Sequence, residues 1–269
     1  MTSRVERADA RSGDVVPIEA VLLDIDGTLL DSNDAHAQAW SDALREAGYD
    51  IGSEVVRPLV GMGSDKLVPE LTGIDAESEG GKRLVERRKE IFAKEYLPAI
   101  RPFPNATDLL DKFRSDGLKL VVATSASDDE LTGLLEALGD KSLLEDATSS
   151  TDADRSKPDP DIIHAAVSKA GASAAACVML GDTPYDVEAA TKAGVAIIAL
   201  RCGGWGDDAL AGAAEVRDDP KEVLEKYGET LIGRRLAGTA NSDVRRTGAA
   251  DRPRRSDEGQ GEGEKSHAK

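Results

Sequence analysis

The sequence predicts an α/β protein: a parallel sheet between two helical layers, a three-layer Rossmann-like core, interrupted by an all-helical insertion. Three observations predict it. From residue 105 onward, helical segments end in glycine and are followed at once by short apolar runs, the pattern of repeated strand–helix units on a parallel sheet. Residues 20–23 form an unbroken apolar run that ends abruptly in Asp24, as a strand buried on both faces does. Between Ser32 and Arg101 no convincing strand occurs, while apolar residues recur at helical spacing. An aromatic content of only 3% also fits helices packed on a sheet better than a β-sandwich.

Taken in order, residues 1–17 carry alternating charges without apolar periodicity and are expected to form a disordered arm. After the strand at 20–24, a helix over 33–48 has Ala35, Ala39, Trp40, Ala43, Leu44 and Ala47 on one face. Asp31, Ser32 or Asn33 is positioned to cap it, and Gly48 to stop it. A segment at 53–60, a turn at 61–64 and a short helix at 65–71 follow. A long charged helix over 81–96 then carries Leu84, Arg87, Arg88, Ile91, Phe92 and Glu95 in register, and Pro98, Pro102 and Pro104 close the region. Residues 33–100 thus form a helical insertion in a core made of 18–32 and 101–229. That core continues as helix 105–116, strand 118–124, helix 128–138 and a weak strand near 143–148. Helix 159–170, strand 176–180, helix 184–193, strand 195–200, a weaker strand at 215–216 and helix 220–227 complete it. Beyond, residues 230–269 collapse to Gly, Arg, Ser, Asp and Glu, a composition that predicts a disordered tail.

The 269 residues carry a formal net charge of −17 with a pI near 4.7. Such a surface repels nucleic-acid backbones and anionic membranes, so neither is expected as a partner. An anionic ligand would need positive charge supplied locally. Cys177 and Cys202 form no CxxC pair and have no histidine cluster beside them, which argues against a zinc site or a disulfide scaffold. The first residues lack the apolar stretch of a signal peptide, and no apolar run approaches the ~20 residues of a membrane helix, so a cytoplasmic location is expected.

Chemistry concentrates at the predicted strand ends. The run at 20–23 is followed by Asp24-Ile25-Asp26-Gly27-Thr28, two carboxylates spaced i, i+2 ahead of a turn. Carboxyl ends of strands face the crevice where open α/β sheets bind ligands. The next strand ends in Thr124-Ser125, hydroxyls suited to holding phosphate oxygens or to capping a helix. Lys157 stands in Ser156-Lys157-Pro158-Asp159, just ahead of a helix, and strand 176–180 runs into Gly181-Asp182-Thr183-Pro184-Tyr185-Asp186. Each of these has a plain structural reading as a turn, a solvated loop charge or a capping acid.

Together, in this order and spacing, the four motifs resemble those of the haloacid dehalogenase (HAD) superfamily of phosphotransferases over roughly residues 19–228. The insertion after the first strand resembles that superfamily's helical cap, in the branch of phosphoglycolate phosphatases and β-phosphoglucomutases. The resemblance implies a Mg²⁺-dependent phosphatase of a small phosphorylated metabolite, acting as a monomer or homodimer. It makes Asp24 the nucleophile that forms an aspartyl-phosphate and Asp26 the general acid and base. Thr124 and Ser125 would bind the phosphoryl group, and Lys157 would balance its charge. Asp24, Asp182, Asp186 and the Asp26 carbonyl would hold Mg²⁺, a hard cation suited to oxygen ligands. His36, and Lys66 in the turn aligning loosely with the family's specificity loop, are the candidate substrate contacts of the cap, whose hinges would lie near 31–33 and 100–102. Other readings are a sugar-phosphate mutase, a 2-haloacid dehalogenase and a non-catalytic binding protein. Dehalogenases of this fold carry no Asp at the position of Asp26 and need no metal, and non-catalytic members usually lose a nucleophile or metal acid.

Overall fold

In the computed structural model the described residues are 16–238. Strands β1 (Ala20–Leu23), β2 (Lys119–Ala123), β3 (Ala147–Thr148), β4 (Cys177–Gly181), β5 (Ala196–Leu200) and β6 (Glu215–Arg217) form one sheet in the order β3-β2-β1-β4-β5-β6. Every neighbouring pair is parallel, with Leu23 opposite both Val122 and Leu180. Each central strand is buried on both faces, and its alternate side chains enter two different cores. Val21, Leu23, Val122, Val178 and Leu180 face one; Ala20, Leu22, Val121, Met179 and Ile197 face the other. Helices α5 (Ala106–Ser115), α6 (Asp128–Leu138) and α9 (Pro220–Glu225) cover the first core. Helices α7 (Asp161–Ala170) and α8 (Pro184–Lys192) cover the second. These are the three predicted layers.

Between β1 and β2 lie α1 (Asn33–Glu46), α2 (Ser53–Val56), α3 (Ser64–Thr72) and α4 (Glu79–Ile91), the last continuing into a π-helical turn at Phe92–Tyr96. Their inward residues, among them Ala37, Trp40, Leu67, Leu84 and Phe92, run on into the first core. The two connections to this insertion lie side by side: Asp31 N donates to Arg101 O at 3.0 Å and Phe103 N to Leu29 O at 2.9 Å.

Three expectations need correction. Residues 231–238 are helical, not a continuation of a disordered tail. Ile232 is fully buried and Leu231 and Leu236 pack on the first core, so this short apolar stretch outweighs its polar surroundings. The arm expected over 1–17 is tied down at its end, because Arg235 donates to Val16 O at 2.5 Å. The rest of the arm, residues 1–15, and the tail from 239 lie outside the described residues. The weak strand near 143–148 shrinks to two residues, since Lys141–Asp146 winds into a 3-10 turn instead.

The strand order reverses between β1 and β4, which opens a crevice beyond their carboxyl ends. Asp24 follows β1 there and Asp182 follows β4, with Asp24 N bonded to Leu180 O at 2.9 Å. Gly27, at φ 77°, turns the chain directly after Asp26, and a Cβ there would run into Asn33 and the Asp182 carboxylate. The close approach of the two strand ends therefore requires glycine.

Candidate active site

Asp24, Asp182 and Asp186 are buried, and one carboxylate oxygen from each lies within 4.8 Å of the others. Strand register delivers the first two; the first turn of α8 delivers the third. Asp186 Oδ2 accepts from Thr183 N at 3.0 Å while Thr183 Oγ1 accepts from Asp186 N at 3.1 Å, a capping box, so Asp186 serves the helix and the cluster at once. Lys157, 1% exposed, reaches in from the loop before α7, where its peptide bond to Pro158 is cis. Its ammonium donates to Asp24 Oδ1 at 2.6 Å and lies 2.7 Å from Asp186 Oδ1.

Three buried carboxylates against one ammonium leave the cluster short of positive charge. Burial, reinforced by Asp186, pushes the Asp24 carboxyl up to about 7 despite the pull of Lys157. Burial also lifts Asp182 well above the usual range, with Asp186 and then Asp24 adding repulsion. The Lys157 ammonium is itself raised: burial opposes its charge, but Asp186 and Asp24 outweigh it. Such a set of hard oxygen donors fits Mg²⁺, which would relieve the deficit. Asn33, whose Nδ2 donates to Asp182 Oδ2, has its Oδ1 buried without a hydrogen-bond partner.

Asp26 sits apart from this cluster, above a cavity of about 380 Å³ that it lines with Asp24, Thr124 and Ser125. Ser32 Oγ donates to Asp26 Oδ1 at 2.6 Å, and His36 Nε2 lies 2.7 Å from the same oxygen. Ser32 does precede α1 but makes no side-chain cap, its hydroxyl being committed to Asp26. His36 is stacked on Phe92 with ring centroids 4.1 Å apart, and Arg88 donates to its Nδ1. Because Nδ1 accepts, the proton resides on Nε2 and is donated to Asp26. Burial alone would raise the Asp26 carboxyl, but His36, Ser32 and Arg88 together hold it below the usual range.

The structure thus brings Asp24, Asp26, Thr124, Ser125 and His36 to one cavity, with Lys157, Asp182 and Asp186 packed beneath Asp24. Thr124 Oγ1 accepts from Ala126 N at 3.1 Å, while Ser125 Oγ is buried and unpartnered. Lys66 is not brought to the cavity. It donates to Ser156 O at 2.5 Å and pairs with Asp159 at 3.0 Å, tying α3 to the Lys157 loop.

Several contacts escaped sequence reasoning. Thr28 Oγ1 bridges Asp24 Oδ2 (3.2 Å) and Asp182 Oδ1 (3.0 Å), and Asn33 Nδ2 donates to Asp182 Oδ2 at 2.8 Å. Thr28 lay inside the first motif, and Asn33 read only as a helix cap. Arg88 and Glu130 meet across 42 positions, Arg88 NH1 donating to both carboxylate oxygens at 2.9 and 2.7 Å. Nothing local in the sequence announces that pairing.

Against known proteins, residues 21–200 match the family model described as haloacid dehalogenase-like hydrolase. A phosphoglycolate phosphatase of Rhodospirillum rubrum is 29% identical over 75% of this chain and 87% of its own length. The crystal structure of a hydrolase from Pseudomonas syringae superposes with a TM-score of 0.74 at 30% identity, covering 78% of this chain and 98% of that one. A β-phosphoglucomutase from Clostridium difficile, 19% identical, shares the fold with a TM-score of 0.70 over 83% of this chain and 99% of its own.

Proposed function

The chain belongs to the haloacid dehalogenase-like hydrolases, and from that premise we propose that it is a Mg²⁺-dependent phosphatase of a small phosphomonoester, phosphoglycolate- or sugar-phosphate-like, working through an aspartyl-phosphate. One observation carries the reading: Asp24, gripped by Lys157, faces the same cavity as a separately held Asp26. A nucleophile and a proton carrier are what phosphoryl transfer to a carboxylate needs. Asp26 is also what a dehalogenase of this fold would lack.

In this reading an Asp24 oxygen attacks phosphorus, while the Thr124 and Ser125 hydroxyls hold the phosphoryl oxygens and Lys157 offsets their charge. Asp26 protonates the departing alkoxide. It then takes a proton from the water that hydrolyses the aspartyl-phosphate. Held below the usual range, its carboxyl is ionised and can accept a proton in the second task; a phosphoryl dianion entering the cavity pushes it back up for the first. Asp24, Asp182, Asp186 and the Asp26 carbonyl would hold the cation. When bound, Mg²⁺ neutralises charge on the transferring phosphoryl group. The inserted helices serve as a cap that excludes water from the cavity during transfer.

The test is hydrolysis of p-nitrophenyl phosphate by the purified protein. Activity that requires Mg²⁺, disappears with EDTA and is lost in Asp24→Asn supports the reading; activity that survives either change overturns it.

A further inference from the structure

The cavity extends from Asp24 and Asp26 toward the inserted helices, where a leaving group would lie. Its basic side chains are His36, Arg88 and Lys89, and each is engaged. His36 holds Asp26, and Lys89 pairs with Glu86 at 2.8 Å. Arg88, stacked over Trp40 and Phe92, gives NH1 to both oxygens of Glu130, the two side chains being 10% and 8% exposed. The acids Asp65, Glu77 and Asp154 line the same space, Asp65 lying 3.5 Å from Lys66 and Glu77 3.0 Å from Lys82.

Resting on the phosphatase reading, we propose that Glu130 determines specificity: by occupying Arg88, it restricts the enzyme to phosphomonoesters with an uncharged, hydroxyl-bearing leaving group. Among the described residues that line the cavity, a second anionic group, a carboxylate or another phosphoryl, meets only cations that already have partners. To reach Arg88 it must displace Glu130, leaving that carboxylate buried and unpaired, or share the guanidinium with it; both are costly. A neutral hydroxyl meets neither obstacle. It finds Ser127 Oγ, buried without a hydrogen-bond partner on a residue that lines the cavity, and the carboxylate acceptors of the lining. Phosphopolyols and sugar monophosphates have this chemistry, and phosphoglycolate does not.

The experiment compares kcat/KM with Mg²⁺ for 2-hydroxyethyl phosphate and phosphoglycolate, near-isosteres that differ by hydroxymethyl against carboxylate. The wild type is expected to prefer the former by about tenfold or more. Glu130→Gln, which releases Arg88, should shift the ratio toward phosphoglycolate by about tenfold. Arg88→Gln, which removes the cation instead, should leave phosphoglycolate disfavoured. Taking ratios cancels any disturbance of Asp26 through His36, because that acts on both substrates. Wild type favouring phosphoglycolate, an unmoved ratio in folded Glu130→Gln, or an Arg88→Gln variant that gains phosphoglycolate overturns the proposal. Should Glu130→Gln fail to fold, the wild-type and Arg88→Gln ratios decide. A p-nitrophenyl phosphate arm separates the two claims: no turnover there defeats the phosphatase reading itself, whereas turnover with the wrong ratios defeats only the role of Glu130.

Discussion

Asp24 and Asp26 stand two residues apart and face opposite electrostatic surroundings. The first shares a buried pocket with Asp182 and Asp186, and its carboxyl rises from 3.8 to about 7; the second is held low by His36, Ser32 and Arg88. The i, i+2 spacing marked both as site acids, but their division of labour depends on neighbours from distant parts of the chain. His36 was legible as a candidate from its place on α1, and in the structure it lines the cavity and holds Asp26. A stability prediction follows from the raised Asp24 and Asp182. Between about pH 4 and the raised native value, the native protein keeps protons that the unfolded chain has lost, so stability falls as pH climbs through that window. Mg²⁺ takes the ionised carboxylates, so its stabilising effect grows as those protons leave. The rise in Tm on adding Mg²⁺ is therefore expected to be larger near about pH 8 than near about pH 5. An equal rise at both would contradict the electrostatic account of the cluster.

Elements were read most securely where glycine punctuates an apolar period, and the positions of β2, β4 and β5 came directly from that pattern, that of β1 from an apolar run ending in Asp24. Edges were read less well. β3 pairs with β2 through only two residues, too few to leave a periodic signal. The helix over 231–238 was missed because a composition argument averaged Leu231, Ile232 and Leu236 into the Gly- and Arg-rich tail beyond them. Ile232 is 0% exposed and packed in the first core. Ile232→Ala is accordingly expected to cost about 2–4 kcal/mol, measured by urea unfolding. A loss below about 0.5 kcal/mol, the size of an ordinary surface change, would show that this helix does not complete the core. The inserted helices are bound to the core by pairings that periodicity cannot show: Arg88 with Glu130, Lys66 with Ser156 and Asp159, and Tyr185 with Pro58 O. Each joins residues far apart in the chain, so only the folded arrangement displays them.

The whole molecule is an acid with an anion to capture. Its formal charge of −17 repels a phosphomonoester at long range, and the compensating cations act only at contact. Screening this repulsion should raise kcat/KM for a dianionic ester by roughly twofold between about 20 and 200 mM NaCl at saturating Mg²⁺. A steep fall with salt would instead point to a basic steering surface. Among the described residues no helix is long and apolar enough to cross a membrane. The sheet reversal, the glycine turn at Gly27 and the cavity beneath the inserted helices all converge on Asp24, and its role as the nucleophile is the central claim. Rapid acid quench during turnover of a phosphomonoester with Mg²⁺, followed by peptide mass spectrometry, tests it most directly. The account predicts one phosphoryl group on Asp24, absent from Asp24→Asn together with hydrolysis. Turnover that never places phosphorus on Asp24, or that persists in Asp24→Asn, would contradict it.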